Sequence, residues 1–173
     1  MLSDKKLQKA ARRELLFREA LSGMDTDRRT AQMKQYIQHG STTTYDHCLS
    51  VARMSYGISR GLHLHTNERE LVRGALLHDY FLYDWHSYRG PLHGVHHPDT
   101  ALRNAARDFE DLTPRERNII LSHMWPLTPF AVPRSREAAL VCLADKLVSI
   151  RETLHMRHTT GGRKRGNSCP GTV

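Results

Sequence analysis

The stretch LLHDY, residues 76–80, places a histidine and an aspartate side by side directly after an apolar run. Two adjacent side chains can point at one centre only where the chain leaves helical geometry, because neighbours on a helix diverge by about 100°. A buried His-Asp doublet is either an aspartate that orients a histidine or two ligands of one metal ion. Other candidate ligands, widely separated in sequence, favour the metal: His47, His97, His123 and Asp145.

Length and composition indicate one globular domain. The chain of 173 residues is long enough for one sizeable core and short for two. Its longest apolar runs, such as AALVCLA at residues 138–144, are far too short to cross a bilayer, and no apolar run follows the basic N-terminus. Three cysteines without a CxxC pair indicate a reducing compartment. We therefore expect a cytoplasmic protein without a membrane partner.

The net charge of +8 resides at the two ends of the chain. Residues 41–156 carry 13 Lys+Arg and 13 Asp+Glu, whereas residues 1–40 carry 9 against 5 and residues 157–173 carry 4 against none. A basic patch on a folded domain is typical of nucleic-acid binding. Because the central part is neutral, a nucleic-acid partner is not expected.

Helical periodicity runs through most of the chain and predicts an all-α fold of about six to seven helices. No segment with the alternating pattern of a strand is long enough to predict one. The predicted domain organisation is an N-terminal basic helical segment (1–40) packed on the domain, a metal-binding helical domain (41–157) and a disordered basic tail (158–173). The predicted helices span about residues 3–21, 27–38, 44–62, 67–78, 98–109, 113–125 and 134–157. The predicted N-terminal caps are Asp27, one of the threonines at 42–44, Asn67 and Thr113, the last two with a glutamate three residues later.

Helix phase directs several of the candidate residues inward. His47 shares one stripe with Val51 and Met54, so it faces the core, and Gly74 in the next helix allows another helix to approach closely. Asp145 lies within an apolar stretch, and a buried carboxylate needs a partner. Taken singly, His47 could be a satisfied core histidine and Asp145 could pair with Arg53 or Arg73.

Taken together, these residues predict a metal centre. The first set offers two imidazoles and two carboxylates from three helices, which suits first-row divalent metals, and consists of His47, His78, Asp79 and Asp145. His97 and His123 could complete a second position, with Asp79 bridging two ions. The pattern does not distinguish Mn, Fe, Zn, Ni, Co or Mg, nor one ion from two.

The order H, HD, D resembles that of the HD-domain superfamily of metal-dependent phosphohydrolases, whose members have a helical fold. The resemblance covers about residues 43–154 and implies that His47, the doublet and Asp145 are the primary metal ligands. It implies that His97 and His123 match the two intervening histidines of dinuclear members, with His96 as the rival of His97.

Two departures limit what the resemblance implies. Leu82 stands where some phosphodiesterases of the superfamily carry a lysine three residues after the aspartate, and His123 is single where they carry a His-His pair. Cleavage of cyclic dinucleotides is therefore not carried over to this chain.

The implied activity is hydrolysis of a small phosphate ester, such as a nucleotide, by a metal-activated water held near Asp79. Lys146 could contact the substrate phosphate or be an ordinary surface lysine. In the aromatic loop at residues 81–98, Asp84 and His86 could bind substrate and protonate a leaving group, or form a pocket wall.

Two other functions stay open at this stage. Some dinuclear iron members of the superfamily are oxygenases, and six nitrogen and oxygen ligands suit that chemistry too. A non-catalytic module that binds a ligand or nucleic acid through the basic ends is the third possibility. A homodimer is compatible with the sequence.

Overall fold

A computed structural model describes residues 4–87 and 92–161, with side chains described as far as residue 155. The described residues form seven α-helices, two short 3₁₀ helices and one two-stranded antiparallel sheet, which confirms the predicted all-α fold. The helices are α1 (Asp4–Leu21), α2 (Arg28–Ala31), α3 (Thr44–Gly61), α4 (Glu68–Leu77), α5 (His93–Asp108), α6 (Pro114–Ser122) and α7 (Arg136–Gly161). Residues 162–173 of the predicted tail, including Cys169, lie outside the described part.

Predicted caps begin three of the helices. Thr43, Asn67 and Thr113 each accept a hydrogen bond from a backbone N–H in the first turn of α3, α4 and α6. Only α6 has the complete capping box. At α4 the Asn67 N–H donates to Glu137 at 2.8 Å instead of to Glu70, so a tertiary contact completes that helix start.

The predicted helix at residues 27–38 is wrong beyond its first turns. Asp27 caps α2 as expected, but the chain then forms a 3₁₀ helix, Gln32–Gln35, and a strand, β1 (Ile37–His39). β1 pairs with β2 (Thr42–Thr43) across a turn in which Gly40 has a positive φ of 58°. The hairpin turns Gln38 toward the interior, where it is 9% exposed.

The boundaries of α5 and α7 also differ from the prediction. α5 begins five residues before Pro98, so the proline lies inside the helix and leaves the Gly94 carbonyl without its usual N–H donor. The extra turns stack the rings of His93 and His97 at 4.8 Å, an i,i+4 contact that a start at Pro98 would remove. α7 begins at Arg136 and continues to Gly161.

The core lies between α3, α4, α6 and α7. α3 packs against α4 and α7, α6 packs against the same two helices, and α5 packs on α6. α1 packs on α4 through Phe17 and Leu21, both buried in the common core. Cys48 and Cys142 are buried free cysteines. No helix among the described residues combines the length and apolarity that a membrane crossing requires.

Gly74 lies at a close approach between α4 and α6. A methyl group at this position would lie 2.6 Å from Ile119 Cδ1 and 3.1 Å from its Cβ and Cγ2. These distances are shorter than ordinary van der Waals contacts, so the helices can pack at this spacing only around a glycine. The close approach matters for function because α4 ends at the His-Asp doublet.

We expect Gly74→Ala to destabilise the fold by about 1 kcal/mol or more, because overpacking outweighs the gain in helix propensity. Gly61→Ala is the matched control: the added methyl meets no atom within 4 Å. It should leave the free energy of unfolding unchanged or raise it by up to about 1 kcal/mol. Urea unfolding of both variants measures the difference, and equal stabilities would contradict the packing described here.

Candidate metal centre

The His-Asp doublet lies where α4 ends. His78 is the C-terminal cap, and the chain then turns tightly, with the Tyr80 N–H donating to Leu77 O at 3.1 Å and the Phe81 N–H to Asp79 O at 2.8 Å. Because helical geometry stops here, the adjacent side chains of His78 and Asp79 face one buried centre. Both are buried, at 0% and 3% exposure.

Four other elements supply the remaining predicted residues to this centre. His47 comes from the second turn of α3, His97 from α5, His123 from the end of α6 and Asp145 from the middle of α7. All four are buried. The structure thus brings all six predicted residues together, although 98 positions separate the first from the last.

The first half of the cluster is formed around His47, His78 and Asp145. His47 Nε2 lies 3.2 Å from Asp145 Oδ1, and His78 Nε2 lies 3.7 Å from the same oxygen. His78 Nε2 is also 3.5 Å from Asp79 Oδ2. These atoms belong to three helices, and ligand atoms of His47, His78 and Asp79 lie within 4.8 Å of one another.

The second half shares Asp79 with the first. The other carboxylate oxygen, Asp79 Oδ1, lies 3.2 Å from His97 Nε2 and 3.3 Å from His123 Nε2. The two imidazole nitrogens are 2.8 Å apart. One aspartate therefore faces both sets of imidazoles, one oxygen toward each.

Hydrogen bonds on the outer side of each ring fix which nitrogen faces the centre. The Nδ1 atoms of His78, His97 and His123 lie 2.7–3.0 Å from the carbonyl oxygens of Ala75, His93 and Ile120. A carbonyl oxygen only accepts, so these Nδ1 atoms carry the proton. His47 Nδ1 donates in the same way to Glu152 Oε2 at 3.0 Å. All four imidazoles point Nε2 inward.

The inward atoms fit a bound cation. Asp79 Oδ1 and His78 Nε2 are buried and lack a hydrogen-bond partner among the described residues, although other polar atoms lie close to both. Buried polar atoms are nearly always paired, so two buried ligand-type atoms without a hydrogen-bond partner in one cluster fit the binding of a cation. Imidazole nitrogens with a fixed outer N–H are the arrangement that divalent metals use in proteins.

Comparison with known families agrees with this geometry. A family model described as HD domain matches residues 44–150, which is more than half of the chain. The chain belongs to the HD-domain family. A comparison with curated proteins and one with solved structures gave no match. Members of this family bind divalent metals through the doublet for which it is named, so the buried cluster of this HD domain is its candidate metal centre.

Burial and the charges of neighbouring side chains together set the pKa values of the clustered residues in the metal-free HD domain. Burial would lower the pKa of His47, but its hydrogen bonds to Asp145 and Glu152 outweigh burial and raise that pKa to about 10. Burial would raise the pKa of Asp79, but the neighbouring His78 and His97 hold it well below its usual range. Burial lowers the pKa of His123.

Sequence reasoning missed three polar groups that support the ligands. Gln38 Nε2 donates to Asp79 Oδ2 at 2.7 Å, Glu152 accepts from His47, and Ser149 Oγ donates to Asp145 Oδ1 at 3.3 Å. Ser149 and Glu152 lie four and seven residues after Asp145, on the same face of α7, so helical spacing could have found them. Gln38 was hidden by the incorrect helix at residues 27–38.

The alternative partners considered for Asp145 are engaged elsewhere. Arg53 donates to Glu14 at 2.6 and 3.0 Å, and Arg73 pairs with Asp111 at 2.7 Å. His47 is indeed a hydrogen-bonded core histidine, but both of its partners are carboxylates. Of the two rival histidines, His97 is the one that lies in the cluster: His96 is exposed, whereas His97 Nε2 lies 3.2 Å from Asp79 Oδ1.

Of the three candidate substrate-binding residues, one lies beside the cluster and two lie away from it. Lys146 lines a cavity of about 750 Å³ beside the cluster, and its Nζ donates to the carbonyl oxygens of His123 and Cys142 at 3.2 Å. Asp84 and His86 are not brought to the cluster: they lie at the surface and pair with each other at 3.2 Å. Trp85 between them lines the cavity. Residues 88–91 of the same loop lie outside the described part.

Metal affinity of this HD domain should depend on pH because His47 must release a proton to bind. With a pKa of about 10, His47 is protonated at neutral pH in the metal-free protein, and a cation at Nε2 displaces that proton. We expect the dissociation constant for Mn²⁺ to fall about tenfold per pH unit per displaced proton between about pH 6 and 9. Isothermal titration calorimetry measures both the affinity and the released proton, and a flat profile would contradict this protonation state.

Glu152 should tune the metal site through His47. Replacing it by glutamine keeps an acceptor for Nδ1–H but removes the negative charge, and we expect the affinity for Mn²⁺ to fall by about tenfold. Glu110→Gln removes a charge at an exposed position and serves as the control. Equal affinities of both variants and the wild type would show that Glu152 plays no part in the site.

Proposed function

We propose that this HD domain is a metal-dependent phosphohydrolase that cleaves a small phosphate ester. The observation that carries the proposal is the shared aspartate: Asp79 faces His78 with one carboxylate oxygen, and His97 and His123 with the other. A pair of divalent ions held in this way supplies Lewis acidity and a water of lowered pKa, the standard requirements of phosphate ester hydrolysis.

The residues of the cluster have distinct parts in the proposed reaction. His47, His78 and Asp145 would hold one ion, His97 and His123 the other, with Asp79 common to both. Asp79 stays ionised across the physiological range because its pKa is held low, so it can accept a hydrogen bond from the attacking water. The amide of Gln38, which accepts from Thr44 Oγ1 at 3.3 Å, keeps the carboxylate oriented.

The cavity beside the cluster supports a small substrate with an apolar or planar portion. Its volume of about 750 Å³ falls within the usual range for a small-molecule site. Apolar and aromatic side chains form much of its wall, including Trp85, Met124, Pro126, Leu127 and Ile150. Trp85 stacks on His93 at 5.4 Å and His93 on His97, so a column of rings leads from the wall to the cluster.

Lys146 supports a substrate that carries one phosphate group. Among the described residues that line the cavity it is the only lysine or arginine. Its Nζ is held by the carbonyl oxygens of His123 and Cys142, which fixes the charge next to the imidazole cluster.

Activity assays on a panel of phosphate monoesters and diesters test the proposal. We expect the metal-loaded wild type to release phosphate, and Asp79→Asn and His97→Asn each to lose about 100-fold or more in kcat/KM, because both remove an interaction required in the transition state. His96→Asn is the matched control, since it changes an exposed histidine of the same helix turn and should keep wild-type activity.

Circular dichroism of each variant shows whether the fold is retained. Equal activity in the wild type and Asp79→Asn would rule out the proposed chemistry. Oxygen uptake by iron-loaded protein, without phosphate release from any ester, would assign the site to the oxygenase class instead.

A further inference from the structure

A large part of the exposed apolar surface is concentrated in one region. Eight large hydrophobic side chains project from α7 and from the loop that precedes it, and we refer to them as the outer apolar surface. They are Trp125, Leu127, Phe130, Val132, Leu143, Leu147, Ile150 and Leu154. If a large side chain offers about 150 Å² and half is exposed, this surface presents roughly 600 Å², the upper end for a monomer without a partner.

The helical half of this surface has regular spacing. Leu143, Leu147, Ile150 and Leu154 follow one another at intervals of four, three and four residues, which places them on one face of α7. Each is 43–56% exposed. The opposite face of α7 is buried in the core, so the helix is apolar on both sides, a pattern typical of helices that are covered on both sides.

The loop half is joined to the helix at two places. Trp125, Val132 and Leu143 line one shallow apolar groove of about 410 Å³, and Leu127 and Ile150 both line the cavity beside the metal centre. Phe130 is the most exposed of the eight side chains, at 97%. The loop part and the helix part of the outer apolar surface therefore adjoin at these two places, and the surface borders the candidate active site.

The charges around this surface are basic. Arg134, Arg136 and Arg151 are exposed beside it, and Lys146 is half-buried. The three acidic residues of α7 are turned inward, where Glu137, Asp145 and Glu152 serve the fold and the metal centre. Residues 124–135 of the loop contain no acidic residue.

This charge distribution disfavours a second copy of the chain as the partner. A two-fold contact presses the same surface against itself. An antiparallel pairing of α7 helices centred between Leu147 and Ile150 would bring Lys146 of one copy beside Arg151 of the other, and a parallel pairing would oppose Arg151 to itself. Like charges at an interface cost binding energy.

We propose that the outer apolar surface docks on an anionic lipid membrane. Exposed aromatic and aliphatic side chains insert at the boundary between headgroups and acyl chains, and surrounding arginines bind the negative headgroups. Phe130 and Trp125 are exposed on the loop before α7, at 97% and 42%, which suits insertion into a lipid surface. This proposal departs from the sequence-based expectation of no membrane partner, because the sequence did not show that one apolar face of α7 points outward.

Vesicle binding of the full chain tests the proposal. We expect co-sedimentation with vesicles of phosphatidylcholine and phosphatidylglycerol, little with phosphatidylcholine alone, and weaker binding at high salt. Phe130→Ser and the double variant Leu147→Ser/Leu154→Ser should each weaken binding about tenfold or more. Arg136→Gln/Arg151→Gln should weaken it about tenfold or more as well, at roughly fivefold for each arginine.

The matched control is Leu7→Ser/Leu15→Ser on α1, since both leucines are more than half exposed and lie outside this surface. It should keep wild-type binding. In a Trp85→Phe background, the fluorescence of Trp125 should shift to shorter wavelength when anionic vesicles are added.

Three results would overturn the proposal. The first is no binding to anionic vesicles at low salt. The second is binding that the Phe130 and Leu147/Leu154 variants retain, which would assign it to the basic ends of the chain. The third is a wild-type dimer in light scattering that the Leu147/Leu154 variant converts to a monomer, which would show that a second copy covers the surface.

Discussion

The convergence of four imidazole Nε2 atoms on two buried aspartates, Asp79 and Asp145, is the constraint on which the rest of this structure depends. Each outer N–H is committed to a carbonyl or carboxylate, so each inner nitrogen presents its lone pair or an extra proton to the centre. At 2.8 Å, the facing nitrogens of His97 and His123 require a positive species between or beside them. A cation satisfies all of these atoms at once.

The fold is organised to keep this convergence in place. α4 has to end where it does, because one more helical residue would separate His78 and Asp79 by about 100°. Gly74 brings α6 close enough to deliver His123, and the extended start of α5 stacks His93 on His97. Burial of the whole cluster raises the strength of every electrostatic contact inside it, which explains the large shifts in pKa.

Local sequence signals predicted most of the helices and all six clustered residues. Threonine and asparagine caps, helical stripes and an adjacent His-Asp pair are local patterns, and they are read correctly without tertiary information. Two features were not predicted: the β1–β2 hairpin places Gln38 against Asp79, a tertiary contact, and α5 begins before Pro98, where His93 stacks on His97. Asp84 and His86 were chosen because they occur in an aromatic loop, and no local pattern shows which side of such a loop faces a cavity.

The exposed face of α7 is another feature that could not be predicted from the sequence. Leu143, Leu147 and Ile150 fit a core helix by their spacing, and only the packing of α3, α4 and α6 shows that the core is already complete without them. The outer apolar surface borders the cavity beside the metal centre, so the proposed docking on a membrane would place the proposed active site next to the lipid surface.

Anomalous X-ray diffraction from crystals grown with Mn²⁺ tests the central claim most directly. The structure predicts anomalous peaks on both sides of the Asp79 carboxylate, one among the inward atoms of His47, His78 and Asp145 and one beside His97 and His123. Crystals with full-occupancy Mn²⁺ elsewhere and no peak within this cluster would contradict it.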